Sequence, residues 1–341
     1  MCGNLPNPLT NPSRAWLSLR VFALPQALWR RARWLRAGRD DDHERRSFIR
    51  GVAMLECVCC YWRAMHVVRD ASPGVFLEHA GPLLYAKEAE YGLALGLVEA
   101  LQTYLKPDIT PLLLRVVEEG VTMAVCVQTR AENVVVSELN DRQAARLAAH
   151  FREHQLPLPG ASGPASGVQA LCAYYSTAPA RVRMSNRILQ LTRVIPPRPS
   201  PGQFRLAGSA DFEVVRHHFY DFHVECIPEE IPTETALDTL TTDRIERRTV
   251  FLWENGGSPV CSAHTSRPTR SGISIGPVYT PPRERGKGYA SNLVAAMSQH
   301  LLDQGKSFCV LFTDADNATS NKIYESIGYR LIGTSEFLSY T

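Results

Sequence analysis

The sequence predicts an α/β fold, and three observations support this prediction. Short apolar runs typical of buried strands alternate with longer segments whose apolar residues recur at helical spacing. The proline-rich segment 196–202, P-P-R-P-S-P-G, separates two such regions and has the composition of a stiff linker. In the second region, residues 273–302 read as a strand, a glycine turn and an amphipathic helix. We therefore expect two α/β (α+β) regions in which sheets are flanked by helices.

The length and composition are those of a globular protein with two domains. The chain has 341 residues, of which 45% are hydrophobic, an ordinary share for a protein with a full core. Its nine cysteines lie mostly inside apolar runs, which favours a reducing compartment over a disulfide framework. No apolar run approaches the roughly 20 residues that span a bilayer. We expect a cytoplasmic protein with no membrane partner.

The net charge of +3 originates at the N-terminal end of the chain. Seven arginines precede the first acidic residue, Asp40, so the remainder of the chain is near neutral or acidic. Nothing there resembles a nucleic-acid-binding face, and we expect no nucleic-acid partner. The seven are Arg14, Arg20, Arg30, Arg31, Arg33, Arg36 and Arg39.

The arginine-rich residues 1–50 are predicted to be a basic, weakly ordered extension without a catalytic role. Three interpretations stay open: an organellar transit peptide, a poorly ordered basic arm, or an extension upstream of a start at Met54 or Met65. The first would make the protein organellar. Cys57 and Cys60 have the spacing of half a zinc site, but no second pair exists in the sequence, so we predict no metal.

Residues 65–196 are predicted to form the first α/β domain. Its periodicity predicts helices within 72–105, and we interpret the charges of Glu88 and Glu90 between them as solvated. The composition of 157–167 predicts a loop. The other predicted elements are strands at 121–127, 133–139 and 188–195 and helices at 141–155 and 168–176.

Residues 203–341 are predicted to form the second domain, with the order β-α-α-β-β-β-α-β-α-β. The alternation and the turn residues fix this order, with 337–340 as a further strand at the end. The predicted elements before the glycine turn are strands at 204–206, 249–253 and 260–264 and helices at 211–226 and 233–247.

The glycine turn at 283–288 predicts an anion site. The first amides of a helix have no internal partners and carry the positive end of its dipole, so they can bind a phosphate. Gly286 and Gly288 allow the backbone to approach a bulky anion, while Arg283, Arg285 and Lys287 add positive charge. The sequence departs from a Walker A loop, and Ser291 replaces the third glycine of a dinucleotide fingerprint.

Two motifs indicate which phosphate ligand this turn would bind. Arg283-x-x-Gly286-x-Gly288 resembles motif A of the GCN5-related N-acetyltransferases (GNATs), at the end of their fourth strand. After another predicted strand, 308–313, the run 320–329 (S-N-K-I-Y-E-S-I-G-Y) resembles their motif B. The resemblance covers residues 203–341, and it implies the GNAT fold with a central mixed sheet. By analogy with tandem members, residues 65–196 are a candidate degenerate second copy.

The resemblance implies acetyl-CoA as the cosubstrate, lying between the strands 274–280 and 308–313. Backbone groups of Val278, Tyr279 and Thr280 would pair with the pantetheine arm, and one near Val278 or Tyr279 would stabilise the oxyanion. Asn321 would hold the pantetheine or the motif B loop, and Tyr324 would protonate the departing thiolate. The amides expected to hold the pyrophosphate are those of Gly286, Lys287, Gly288, Tyr289, Ala290 and Ser291.

The general base is the least determined part of the predicted site. A lysine-like amine with a pKa of about 10.4 is deprotonated about once in 10³ at neutral pH, so a base or a pKa-lowering pocket should matter more than the acid. His264 is the candidate base, with a structural or exposed histidine as the alternative. Glu225, Glu229 and Glu230 lie at the expected acceptor entrance and would bind a cationic substrate, unless they are solvated charges.

The sequence as a whole favours an acetyl-CoA-dependent N-acetyltransferase that transfers the acetyl group directly to an amine in a ternary complex. No cysteine near the motifs has the partners of a nucleophile, which argues against a covalent intermediate. The alternatives are a non-catalytic CoA-binding regulatory module and, less favoured, a dinucleotide-binding oxidoreductase. The acceptor amine and the oligomeric state, a homodimer included, stay open.

Overall fold

A computed structural model describes residues 65–104, 110–129, 133–175 and 180–340. All of them belong to one compact unit, Trp62–Thr341. The predictions for residues 1–50 and for the cysteine pair at 57 and 60 lie outside the described residues. No helix in the described ranges is long and apolar enough to cross a membrane. The cytoplasmic location and the homodimer stay predictions.

The region before the linker contains four helices and six strands within the described residues. Helix α1 begins with Pro73, and the Ser72 hydroxyl accepts a hydrogen bond from the Val75 amide, which caps its first turn. The helices are α1 (Pro73–Ala86), α2 (Gly92–Tyr104), α3 (Asp141–Glu153) and α4 (Ala165–Tyr175). The strands are β1 (His66–Arg69), β2 (Leu112–Glu118), β3 (Val121–Gln128), β4 (Val134–Val136), β5 (Gly160–Pro164) and β6 (Arg181–Leu191).

The region after the linker follows the predicted order of elements. Its helices are α5 (Phe212–Cys226), α6 (Glu234–Glu246), α7 (Tyr289–Asp303) and α8 (Ala318–Ser326). Its strands are β7 (Gln203–Leu206), β8 (Val250–Asn255), β9 (Ser258–Ser266), β10 (Gly272–Tyr279), β11 (Phe308–Asp314) and β12 (Arg330–Ser339). The α/β fold class and the mixed sheet flanked by helices are confirmed.

The twelve strands form one continuous sheet that runs through both regions. Its order is β1-β2-β3-β4-β5-β12-β6-β11-β10-β9-β8-β7. The two regions exchange strands, because β12 lies between β5 and β6 while β6 lies between β12 and β11. Residues 192–202 form the connection and contain no helix or strand. The division into domains at 196–202 stays a prediction, and any such domains share their sheet.

Several elements differ from the sequence-based expectations. Gly160–Pro164 is a strand rather than a loop, because its glycines allow close packing: a Cβ on Gly160 would lie 2.1 Å from the Leu338 carbonyl oxygen. Strands β1 and β2 were not predicted. Residues 337–340 are not a separate strand, because β12 runs from Arg330 to Ser339 with two register shifts.

Two helical layers cover the half of the sheet that carries the motifs. Helix α7 packs on one face through Leu293, Val294 and Met297. These residues join Cys261 and Ala263 of β9 in one buried cluster, which we call the α7 cluster. Helices α5 and α6 cover the other face. Since side chains alternate along β9, Ser262 and His264 face α5 and α6. The candidate site lies between these layers.

Candidate active site

A gap opens in the sheet between β10 and β11. These parallel strands pair over Gly272–Ser274 and Phe308–Val310, and the described residues show no further pairing between them. Strand β10 then contains a bulge between Ile275 and Val278 and stays paired to β9, while β11 remains paired to β6. We call the space between residues 275–279 and 311–314 the strand gap. It lies where the sequence predicted that the pantetheine arm binds.

The glycine turn leads from β10 into α7 with its backbone exposed. Gly286 and Gly288 have φ angles of 76° and 82°, which favour glycine. Gly288 is the N-cap of α7, and no side chain caps this helix. A Cβ on Gly286 would meet nothing within 4 Å, whereas one on Gly288 would lie 2.6 Å from the Ser200 hydroxyl. Gly286 therefore borders open space, and Gly288 packs against the linker.

The linker and α7 hold this turn in place through the side chains of Ser200 and Asn292. The Ser200 hydroxyl donates to the Lys287 carbonyl oxygen at 2.7 Å. The Asn292 amide donates to Ser200 Oγ and to the carbonyl oxygens of Arg198 and Gly288, each at 3.0 Å. The conformation of the turn is therefore set from two sides, by α7 and by the proline-rich segment.

The basic side chains of the turn are largely neutralised by glutamates. Arg285 donates to Glu225 at 2.6 Å and to the Thr280 carbonyl oxygen at 2.8 Å. Lys287 forms an exposed ion pair of 2.9 Å with Glu284. Arg283 is exposed and has no ion-pair partner in the part of the chain that the structure describes. Of the three cations, it is the one left available to a phosphate.

The end of β10 is fixed by contacts of its side chains. Tyr279 is buried, and its hydroxyl donates to Glu225 at 2.9 Å and lies 3.2 Å from an Asp221 oxygen. Thr280 donates to the Cys261 sulfur at 3.1 Å. Val278 packs on the α7 cluster. These side chains are engaged within the protein, so Val278, Tyr279 and Thr280 can contact a ligand chiefly through their backbone.

Glu225 is held ionised and is not free to act as a base. Burial alone would raise the pKa of its carboxyl group, but the hydrogen bonds from Arg285 and Tyr279 outweigh burial and lower it. The other two predicted acceptor-site glutamates are less engaged. Glu229 is exposed and lies 3.9 Å from Arg183. Glu230 lies in a 3₁₀ turn at residues 228–230, and its side chain is outside the described atoms.

Motif B packs against the end of β11. Asn321 is buried, and its amide donates to the carbonyl oxygens of Asp314 and Ala315 at 3.1 and 3.2 Å. Its Oδ1 is buried without a partner among the described residues. Tyr324 is partly buried against the α7 cluster, and burial followed by the nearby Cys261 and Cys226 thiols raises its pKa. Tyr324 is therefore protonated at neutral pH, as a proton donor must be.

His264 is buried more deeply than the sequence suggested. It is 2% exposed, its ring stacks on Phe219 at 4.2 Å, and its Nδ1 has no partner in the described residues. Burial and then the Arg244 charge lower its pKa to about 3. The structure therefore favours the structural alternative over the catalytic base. His218 is also buried, bonds Ser262 at 3.0 Å, and has a pKa lowered to about 4, first by burial.

Two arginines that the sequence analysis did not single out lie on the face of the sheet that α5 and α6 cover. We call this face the inner face. Arg267 follows β9, and its guanidinium donates to Ser274 Oγ at 2.9 Å. Arg244 on α6 donates to the Thr265 carbonyl oxygen at 2.9 Å. The segment 265–272, T-S-R-P-T-R-S-G, contains two arginines and no acidic residue. This excess of positive charge could have been noticed in the sequence, but it does not show which of the two arginines is buried against the sheet.

The site has the features that binding of acetyl-CoA would require. No side chain caps the N-terminus of α7, and Gly286 borders open space. The buried Asn321 Oδ1 has no hydrogen-bond donor among the described residues. Only the backbone of Tyr289 is available to a ligand, because its buried ring lies in the core and its hydroxyl accepts a hydrogen bond from Asn255 at 2.9 Å. No group of three His, Cys, Asp or Glu side chains in the described ranges could hold a metal.

Comparisons with known proteins identify relatives of this arrangement. Residues 261–338 match the family described as FR47-like protein. A search of curated proteins found no match. Among solved structures, a Drosophila protein is similar with 15% identity and a TM-score of 0.56, covering 81% of this chain and 98% of its own. A GCN5-related N-acetyltransferase from Sphaerobacter thermophilus has 16% identity and a TM-score of 0.54, covering 80% and 94%.

A third similar structure bears on the region before the linker. A tandem GNAT protein from the clavulanic acid biosynthesis pathway has 12% identity and a TM-score of 0.50, with coverage of 82% of this chain and 99% of its own. At such identities the likeness concerns the fold. It extends over both regions, as expected if a further domain precedes the one with the motifs.

Proposed function

We propose, from the premise that the C-terminal part of the chain is a domain of the GNAT superfamily, that the protein is an acetyl-CoA-dependent N-acetyltransferase. The fold itself supports acyl transfer in general. The observation that carries the narrower proposal is the strand gap, with the glycine turn following β10 at its open end and motif B following β11. This order of elements supports a diphosphate site at the turn and a phenolic proton donor, Tyr324, on the helix that follows β11.

The chain's own residues would bind and orient the thioester. Amides from Gly286 to Ser291 and the free Arg283 would hold the diphosphate, because uncapped helix amides and a guanidinium both favour phosphate. The backbone of Val278–Thr280 would pair with the pantetheine arm, and Asn321 Oδ1 would accept a hydrogen bond from it. These contacts would present the acetyl carbon to an amine entering from the side of α5 and α6.

The transfer itself needs no covalent intermediate on the protein. The amine nitrogen attacks the thioester carbon, a C–N bond replaces the C–S bond, and sulfur leaves with the bonding electrons. Tyr324 donates a proton to sulfur, and the proton released by the amine reaches Tyr324 through solvent. Because a thiol has a pKa of about 8.5, the thiolate leaves fairly well unaided, so Tyr324 should contribute modestly.

A thiol-release assay tests the activity directly. The full-length protein is incubated with acetyl-CoA and a panel of amines, and free CoA is measured together with the mass of the N-acetyl product. Tyr324→Phe should lower kcat about 10- to 100-fold, while the Kd for acetyl-CoA stays unchanged by calorimetry. Acetyl-CoA binding without amine-dependent thiol release would overturn the enzymatic proposal. An equal loss of kcat and affinity in Tyr324→Phe would assign that residue a packing role.

A non-catalytic CoA-binding module is the second candidate. The observation that favours it is Glu225, a carboxylate near the site that is bonded to Arg285 and Tyr279 and so cannot readily accept a proton from an amine. Such a module would bind acetyl-CoA and leave every amine in the panel unmodified, so the same assay separates the two candidates.

A further inference from the structure

Arg267 is a largely buried cation at the beginning of the strand gap. Its Nη2 donates to Ser274, the last residue of β10 that pairs with β11. Its Cζ lies 5.1 Å from the ring centre of Phe312, two residues beyond Val310, the partner of Ser274. The guanidinium thus spans both strands at the point where they separate. The guanidinium therefore lies at the end of the gap where the two strands begin to separate.

No carboxylate neutralises Arg267 within the described residues. Its Nε is buried and has no hydrogen-bond partner there, and the charged group that acts on it is a second cation, Arg244. Burial and then Arg244 lower the pKa of Arg267 to about 10, so it remains charged at neutral pH. A buried charge without a counter-ion is costly. Such a charge therefore attracts an anion from outside the protein.

The region before the linker holds Arg267 in position. Gly96 of α2 lies against the arginine stem, and a Cβ there would be 2.6 Å from Arg267 Cβ. Glu88, between α1 and α2, accepts hydrogen bonds from the amides of Ser271 and Gly272, which follow Arg267 in the chain, at 2.6 and 3.3 Å. It is therefore not the solvated charge that we expected. Arg267 itself has a φ of 45°, which a non-glycine residue adopts only when its surroundings enforce it.

We propose that the acceptor carries a carboxylate close to its amine, as an amino acid does, and that Arg267 binds this carboxylate. The proposal rests on the proposed acetyl transfer and names the chemical class of its acceptor. It replaces the cationic acceptor that Glu225, Glu229 and Glu230 suggested, because Glu225 is already paired with Arg285. A carboxylate on the guanidinium would supply the counter-ion that Arg267 lacks and would turn the adjacent amine towards the gap.

Matched pairs of acceptors test the proposal. Alanine, leucine and phenylalanine are compared with their carboxamides in the thiol-release assay. The acids should be acetylated in preference to the amides. Arg267→Gln should lower kcat/KM for the acids about 10- to 100-fold, because a charged hydrogen-bond pair is lost. It should leave the amides and the Kd for acetyl-CoA unchanged. Arg270→Gln, an exposed arginine three residues away, is the control and should behave as the wild type.

A second variant guards against misfolding of the first. Gly96→Ala should displace Arg267 and reduce the preference for acids, whereas Gly92→Ala, where a Cβ meets nothing within 4 Å, should not. Equal use of acids and amides by the wild type, or an equal loss of both in Arg267→Gln, would overturn the proposal.

If no amine is acetylated, the proposed activity fails, and binding still tests the inference. Calorimetry of the CoA-loaded protein would then have to show that the acids bind, that their amides do not, and that Arg267→Gln abolishes the difference. Absence of binding by either set would refute the carboxylate site independently of catalysis.

Discussion

The motif-bearing region has two sets of basic residues, and they differ in what neutralises them. At the glycine turn, Arg285 and Lys287 are paired with Glu225 and Glu284. On the inner face of the sheet, Arg244 and Arg267 have no carboxylate partner among the described residues. Under the proposed function, the turn would therefore depend on its backbone amides and Arg283 to hold a phosphate. Under the proposed function, the inner face would keep its positive charge for the acceptor carboxylate, and the two regions would bind different anions.

The largest effect should follow from placing a negative charge at the turn. Gly286 borders open space and has a positive φ, which Asn and Asp tolerate better than most residues. Gly286→Asp should weaken acetyl-CoA binding by about 10³-fold, since two like charges about 4 Å apart near a surface repel by about 4 kcal/mol. Gly286→Asn, with the same shape, should lose much less. Equal Kd values of the two variants for acetyl-CoA, measured by calorimetry, would contradict the proposal that the diphosphate binds at this turn.

The inner face should make folding sensitive to acid. The folded-state pKa of His264, about 3, lies below its unfolded value of 6.5, so the unfolded chain binds more protons between these values. This stability is present above pH 6.5 and is lost as the pH falls, by up to about 1.4 kcal/mol per pH unit. His264→Leu should flatten that dependence in denaturant unfolding. His218→Leu should also flatten the pH dependence of stability, but only down to about pH 4, because the folded-state pKa of His218 is about 4. A wild-type slope in His264→Leu would contradict the assignment.

The smallest effects should separate the three cations of the turn. Arg283→Gln should raise the Kd for acetyl-CoA about fivefold, because its charge has no internal partner and is exposed to solvent. Lys287→Gln should change it less, since an exposed ion pair such as Lys287–Glu284 already occupies the ammonium group. A larger loss in Lys287→Gln than in Arg283→Gln would show that phosphate displaces the glutamate. In that case the paired cations of the turn would be as available to a ligand as the unpaired arginines of the inner face, and the proposed difference between the two would not hold.

Much of the motif-bearing region was predictable, because its signals are local. The helix periodicity and the strand-turn-helix order are properties of neighbouring residues, so the bounds of α5 and α6 agree with prediction to within a residue. The strand Gly160–Pro164 was missed for the opposite reason. Its composition is that of a loop, and it is a strand because Leu338 and Val136, far away in sequence, approach its glycines.

The amino-acid sequence by itself determined the order of the elements after the linker, the glycine turn and the residues of both motifs, since each depends on spacing along a few turns of chain. Only the tertiary structure decided which charges meet. Arg285 finds Glu225 sixty residues away, His264 is enclosed under α5, and Gly96 of the first region supports Arg267. The exchange of β6 and β12 was likewise set by packing, because strand pairing is a long-range contact that no local pattern encodes.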